Sequence, residues 1–505
     1  MRALSFLIVL AVPFVAFAEI ERVESQNADQ PLRYRLTVDP AAEPDPPLKY
    51  ELLPNYWERK PGNAAQFYLR AQLLAAALPK EIAEQYQKNE KTWTVGVLDE
   101  AGKAAVTKWL AAHESIWGEL RTAAYRETCE FDYRLRDLTG PQAIAFLLPE
   151  LQGLRQMARA LRVKAHAEIL EGRLAEALET LRWGYQLGHD VGTPPILVAG
   201  LVGVACAEIT SESLRDWIAA PGSPNLYWAV ASLPRPLVDL NRGLQYERGL
   251  AEQMFPALKD AETAQRSPDE WRRVVQQAIR AGALLGNEDV LSPSATTDAQ
   301  ANVISTLLLV KIYPEAKRRL LAAGFDPQQV EAMPVAQVVT IQTARVTKYA
   351  YQELLKWTAL PYDQASARMQ ASEARLKEER ILVSDASFSQ GALPIAPLLM
   401  PALAAVRHAQ ARLDRNLAAL QLVEALRWHA AVHQGQLPAT LDAITVVPLP
   451  RNPVTGQPFT YRLENHVGIL DLPPLPGQKA QQSGVRYEIV IRQGGPKNQG
   501  QEDEE

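Results

Sequence analysis

The residues that could do chemistry are few and scattered. His429 and His433 lie four apart, a spacing that stacks two imidazoles on one helix face, where a metal could use them. No acid lies between them to serve as a base, and no third ligand accompanies them. His433 also stands two residues before Gly435, where an imidazole can serve the last carbonyls of a helix instead. Glu130 and Asp132, within the acid- and aromatic-rich run Glu127–Arg134, could form the carboxylate pair that glycoside hydrolysis needs. In a helix, residues two apart point to different faces, which favours aromatic packing with solvated charges. His113-Glu114 opens a zinc-protease pattern, but Trp117 occupies the place of the second histidine.

Stronger signatures are missing. The chain has no Gly-x-Ser-x-Gly elbow, no glycine-rich phosphate loop, no dinucleotide fingerprint and no Cys-x-x-Cys. No catalytic residue can therefore be assigned from sequence, and no cofactor and no metal are expected. Only Cys129 and Cys206 are present. They could form one bond in an oxidising space, but Cys206 lies in the apolar run Leu197–Ala207, which favours a buried free thiol. Asn225-Leu226-Tyr227-Trp228, followed by Leu233, reads as core aromatics rather than a ligand platform.

Composition sets the frame for these residues. Of 505 residues, 47% are hydrophobic and 22% charged, which are globular proportions. The net charge is -5, and four acids fall in the last five positions, so the body is near neutral. Without clustered Lys and Arg, no nucleic-acid partner is expected. Residues 1–18 have the layout of a secretory signal: Arg2, an apolar run from Leu4 to Phe17, then Ala16-Phe17-Ala18. The expected location is outside the cytoplasm, periplasmic or extracellular, with no membrane-spanning helix left after signal removal. Pro195–Ala207 is too short to span a membrane and reads as a buried helix, in which Gly200 and Gly203 let a neighbour come close.

The expected fold is mainly α: an irregular multi-helix bundle or helical-hairpin array, with a small three-stranded α+β element at the C-terminus. Residues 19–60 are rich in proline and read as an extended lead-in lying on the body, with one short strand at Arg33–Val38. Residues 61–285 form a helical block, 286–300 a linker, and 301–435 a second block. Helix starts are predicted at Thr139-Gly140-Pro141-Gln142, Ser267-Pro268-Asp269-Glu270 and Asp326-Pro327-Gln328-Gln329, where an oxygen can cap an orphan amide and proline has none to lose. The longest helix is predicted over 401–433, packed on one side by Leu403, Val406, Leu413, Leu417, Leu420, Val423 and Leu426. Strands are predicted at Phe459–Leu463, Val467–Leu470 and Val485–Ile491, within a β-rich element over 436–492. Residues 493–505 read as a disordered acidic tail.

Three resemblances follow from these segments. Residues 158–191, with Ala165, Gly172, Leu174, Ala177 and Leu181, resemble one tetratricopeptide hairpin, and the pattern fails when shifted by one unit. Most of the mature chain resembles a family of uncharacterised exported helical proteins known mainly from planctomycete bacteria. The likeness rests on Glu171-Gly172-Arg173, Glu176-Ala177-Leu178, Asn225–Leu233, Glu331–Gln337 and Asn452-Pro453-Val454-Thr455-Gly456. It implies no activity. Ala425–His433, Gly435, Leu437-Pro438, Asn452-Pro453, Gly456, Phe459 and Tyr461 resemble the end of a major type II secretion pseudopilin. Asn452 stands where that family has an acid, which speaks against the calcium some members hold.

The expected function is non-catalytic: an exported helical protein that binds a protein partner or serves as an envelope scaffold, with the apolar segment 391–405 as its contact surface. The alternatives are a hydrolase whose site is assembled from distant helices, and a secretion-system accessory protein.

Overall fold

Helix-forming sequence, punctuated by capping residues, dictates most of the architecture. The computed structural model describes residues 20–23, 29–140, 148–284, 298–378, 390–393, 395 and 403–492. The helix starts at Ser267 and Asp326 form as the sequence predicts. Ser267 and Glu270 close a reciprocal capping box, and Asp326 accepts the Gln328 amide at 2.7 Å. The predicted signal (residues 1–18), the helix start after Gly140, the linker 286–300 and the tail 493–505 lie wholly or mostly outside the described residues.

The N-terminal half is built from α1 (Ala65–Ala76), α2 (Lys80–Asn89), α3 (Glu100–Ala112), α4 (Glu114–Ala124), α5 (Pro149–Leu170), α6 (Leu174–Val191) and α7 (Leu197–Ala219). The predicted hairpin at 158–191 is the pair α5 and α6. Its turn needs Gly172, whose φ of +73° is open to glycine at no cost. The second half adds α8 (Asn241–Met254), α9 (Pro268–Leu284), α10 (Asp298–Ala322), α11 (Val335–Leu355), α12 (Tyr362–Glu378) and α13 (Leu403–Val432).

α6 and α7 are buried along most of their length, although Ala175, Glu176 and Val198 are exposed. Trp183, Leu187, Val191, Ala199 and Cys206 pack into an N-terminal cluster with Trp109, Trp117 and Leu154. Leu181, Tyr185, Val204 and Leu214 pack into a larger central cluster that also takes in Val338, Leu417 and Ile489. α7 runs on to Ala219, well beyond the apolar stretch 195–207 that marks it in sequence. It is long and apolar enough to cross a membrane, but most of it is buried inside the molecule. Gly203 backs onto the Gly188 carbonyl of α6 and onto Gly192 just past its end, and this contact sets how close the two helices lie.

The fold is mainly α with a small C-terminal β element, as expected, and the three expected C-terminal strands form. Two expectations are corrected, on the lead-in and on the longest helix. Two strands of the lead-in join the C-terminal three in one five-stranded sheet. Its order is β1 (Ile20–Val23), β2 (Leu32–Val38), β7 (Val485–Ile491), β6 (Val467–Leu472), β5 (Thr460–Glu464). β2 pairs parallel with β7 in the register Leu32↔Val485 to Val38↔Ile491, and the other pairings within this sheet are antiparallel. Without β2, β7 would leave a row of backbone groups unpaired beside the core, and Tyr34, Leu36 and Val38 would lose their buried face. The lead-in is therefore part of the fold and does not simply lie on it. A short parallel pair, β3 (Lys60–Asn63) and β4 (Arg126–Thr128), ties it to the body a second time.

The long helix α13 is not packed on one side only. Arg415, Glu424 and Arg427 are fully buried, and Gln410, Gln421 and His429 nearly so. The cause is tertiary: backbone carbonyls of loops distant in sequence take up the guanidinium donors. Arg415, for example, donates to the carbonyls of Pro473 and Ser483.

Candidate binding surface

The residues singled out in sequence do not converge. Glu130 and Asp132 are exposed and lie in an irregular segment after β4, not in a helix; Asp132 has a left-handed φ of 48°. The backbone of Glu130 is held by Asn63, but its carboxylate faces solvent. His429 and His433 stack face to face at 3.8 Å, and the Nδ1 of His433 lies 2.8 Å from the His429 carbonyl. Parallel rings do not aim their lone pairs at a common point, as a metal would require. The helix ends there through Gln434 and Gly435, both at positive φ, with the Gly435 amide bonding the Ala430 carbonyl at 2.7 Å. His113 is buried between Trp109 and Trp117, and burial lowers its pKa, opposed by its bond to the Trp109 carbonyl. Both cysteines are free and buried, and burial pushes the Cys206 thiol up to about 12. Among the described residues no cluster of His, Cys, Asp and Glu could hold a metal.

In the 391–405 segment, the described residues Gly391, Ala392, Leu393 and Ile395 are buried. Gln342 of α11 donates to the Gln390 carbonyl, and the Leu393 amide donates to Thr343. Pro394 and residues 396–402, including Leu398 and Leu399, lie outside the described residues, and 403–405 open α13.

What the fold does build is a polar joint around the lead-in. Arg427 donates through Nε to the Asp39 carbonyl at 2.9 Å, through one terminal nitrogen to the Glu424 carboxylate at 2.8 Å, and through the other to the Ser223 carbonyl and hydroxyl. Burial raises the pKa of Glu424, and the Arg427 charge, the Leu226 amide and the Arg427 hydrogen bond oppose that rise. Asn225 adds bonds to the carbonyls of Ala41 and Glu424 and accepts the Tyr227 amide, so it is indeed a core residue. Asp39 accepts the Gly222 amide on one oxygen and Arg492 on the other, both at 2.7 Å. Above this joint lies a cleft of about 1170 Å³, whose Asp39, Glu43 and Arg492 are all engaged in hydrogen bonds.

Beyond the joint, the lead-in makes a tight turn. The Asn55 side chain accepts the amides of Trp57 and Glu58 and donates to Glu51, while Arg59 donates to the Pro54 carbonyl. Glu58 is in turn held by Arg182 of α6, which also meets Tyr125 and Glu179. This hydrogen-bonded turn carries Tyr56 and Trp57, 76% and 89% exposed, with ring centroids 5.3 Å apart and edge to face. Asn55 and Glu58, the residues on either side of the pair, line a recess of about 300 Å³ together with Leu48, Lys49, Tyr50, Glu51, Leu178, Glu179 and Arg182. Sequence reasoning passed over this pair. The available signal was two aromatics bracketed by Pro54 and Pro61, with no helical or strand periodicity to place them in a core.

The Glu58 anchor has a pH signature. Burial alone would raise its carboxyl, but the Arg182 hydrogen bond, the Asn55 amide and the Arg182 charge bring it below 4.5. A lowered folded pKa means that the anchor's contribution is fully present above 4.5 and is lost as pH falls through the folded value. A carboxyl NMR titration of Glu58 is expected to give a midpoint below 4.5, and Arg182→Met to raise it. A wild-type midpoint at or above 4.5 would contradict the anchor.

The chain matches no family model, no curated protein and no solved structure.

Proposed function

We propose that the chain is an exported, non-catalytic binding protein, and that it engages its partner through the surface carrying Tyr56 and Trp57. The observation that carries this reading is the exposure of two large aromatic side chains on a turn whose polar groups are hydrogen-bonded. Aromatic side chains on preorganised backbone give binding energy at little cost in ordering entropy. The leader-like residues 1–18 support export, and the paired charges of the large cleft support binding over turnover. The run from α13 through the Gly435 turn to the hairpin β5–β6 supports a secretion-system accessory role only as a likeness of element order.

The rival reading is a hydrolase assembled from distant helices. It would draw on Glu247 and Asp414, carboxyls that burial pushes up to about 7 and about 6, the latter opposed by Arg235 and Arg407. These sit on α8 and α13, and neither lines the recess or the cleft. The test is affinity capture from an envelope fraction, with the full chain compared against Tyr56→Ala/Trp57→Ala. Material retained by the wild type is expected to be lost with the double variant, whose circular dichroism stays unchanged. Equal retention by both would sink the reading.

A further inference from the structure

The facing sides of α8 and α11 enclose a separate space of about 350 Å³, which shares no lining residue with the recess or the cleft. Ala344, Thr347, Lys348 and Tyr351 recur every three or four residues and so share one face of α11. Gln245, Arg248 and Glu252 do the same on α8. Two hydroxyls in this lining have no partner. Tyr351 is 2% exposed and Thr347 4%, and neither oxygen makes a hydrogen bond among the described residues. Thr340 and Thr343, earlier on the same helix, donate to the carbonyls four residues back, but Thr347 does not. A buried hydroxyl without a partner is costly, and a ligand that accepts from it removes that cost. The charges of the lining are one-sided. Arg248 and Lys348 stand exposed at the rim, and neither has an ion pair among the described residues. Glu252 is the one acid of the lining. Glu247 lies outside it, and burial pushes that carboxyl up to about 7. Burial, seconded by the Glu247 charge, raises the pKa of Tyr351, so its hydroxyl stays a donor.

A cation would meet like charge from Arg248 and Lys348. A neutral occupant would strip water from both and return no charge. An anion answers the cations and the hydroxyls together, and hydrogen bonds to a charged acceptor are the stronger kind. The space is many times the ~30 Å³ share of one water. Ala251 and Leu258 give it an apolar wall, so it suits an acid group with a carbon body rather than a bare ion. From two partnerless buried hydroxyls beneath two unpaired cations, we infer that the space between α8 and α11 is a binding site for a small organic oxyanion. Thr347, Tyr351, Arg248 and Lys348 hold its carboxylate or phosphate end, and Ala251 and Leu258 face its carbon body. The site is independent of the Tyr56–Trp57 surface and calls for no covalent step.

The full chain should be titrated by calorimetry against phenyl phosphate, glycerol 3-phosphate, benzoate and succinate. Inorganic phosphate, calcium chloride and sorbitol serve as the contrasting arms. At least one organic anion is expected to bind, and more tightly than inorganic phosphate. Preference for the esters identifies a phosphate end, and preference for benzoate or succinate a carboxylate end; either supports the site. Tyr351→Phe and Thr347→Val should each weaken binding about tenfold. Neither variant gives up a hydrogen bond within the protein, so the melting temperature of the ligand-free chain is expected to stay the same or rise. A residue with a merely structural role would lower it. Arg248→Gln should weaken binding as well, and its exposed position keeps the test valid if a buried variant fails to fold. Silence from every organic anion up to about 10 mM overturns the inference. So does binding confined to inorganic phosphate, calcium or sorbitol. Affinity left unchanged by both Tyr351→Phe and Thr347→Val would place the anion on surface charges alone and overturn it too.

Discussion

Arg427→Met is expected to lower unfolding free energy by about 3–5 kcal/mol, because it leaves the Glu424 carboxylate buried without its partner. Both side chains are 0% exposed, so water cannot replace the guanidinium without opening the joint. The carbonyls of Asp39 and Ser223 are orphaned at the same time, and each buried unsatisfied group adds about 1–3 kcal/mol of penalty. Methionine has nearly the right length and apolar bulk, so the loss reports charge and hydrogen bonding more than a cavity. Urea unfolding measures it. Glu424→Gln in the Arg427→Met background should recover part of the loss, since no buried charge is then left alone. A loss below about 1 kcal/mol for the single variant would mean that the joint is open to solvent.

Gly203→Ala is the second large effect, and two terms of opposite sign decide it. Alanine in a helix interior is worth about 0.8–1.0 kcal/mol over glycine. Against that, the added methyl would lie 2.6 Å from the Gly188 carbonyl oxygen, 2.9 Å from the Gly192 nitrogen and 3.0 Å from its Cα. All three are backbone atoms and cannot rotate away, so α6 and α7 must separate. Overpacking of this kind costs about 1–3 kcal/mol, and here it strikes the pair that joins the two hydrophobic clusters. The net expectation is destabilisation, and Gly203→Val should be worse. Gly118 of α4 is the control: a methyl there meets nothing within 4 Å, so Gly118→Ala should stabilise. Thermal unfolding of both variants checks the signs. Stabilisation by Gly203→Ala would show that the helices are farther apart than described.

Much of the helical architecture was legible because it is written locally. Ser267 with Glu270, Asp326 with Pro327, and Gly172 between α5 and α6 each act within four residues. The hairpin β5–β6 was legible for the same reason: Asn465 and His466 both take positive φ, as a tight two-residue turn requires. Long-range pairing was not. Nothing in Leu32–Val38 says that its partner strand begins at Val485, and a local pattern cannot distinguish a strand lying on a body from one inside a sheet. The burial of Arg415 and Arg427 was hidden likewise. A charged residue off an apolar stripe normally marks a solvent face, and only the carbonyls of distant loops reverse that expectation here. The proposed binding surface was illegible in part because Tyr56 and Trp57 gain meaning from what they lack, namely packing against a core.

Everything proposed for that surface depends on the lead-in being welded to the body, so that Tyr56 and Trp57 are held out on a rigid mount. Native-state amide exchange over residues 32–63 tests this most directly. Amides of β2, of Ala41 and of Lys60 should be protected nearly as well as those of α7 in the wild type, and Arg427→Met should lower protection at Ala41 first. If these amides exchange as freely as a short peptide while α7 stays protected, the lead-in is a loose arm and the account is wrong.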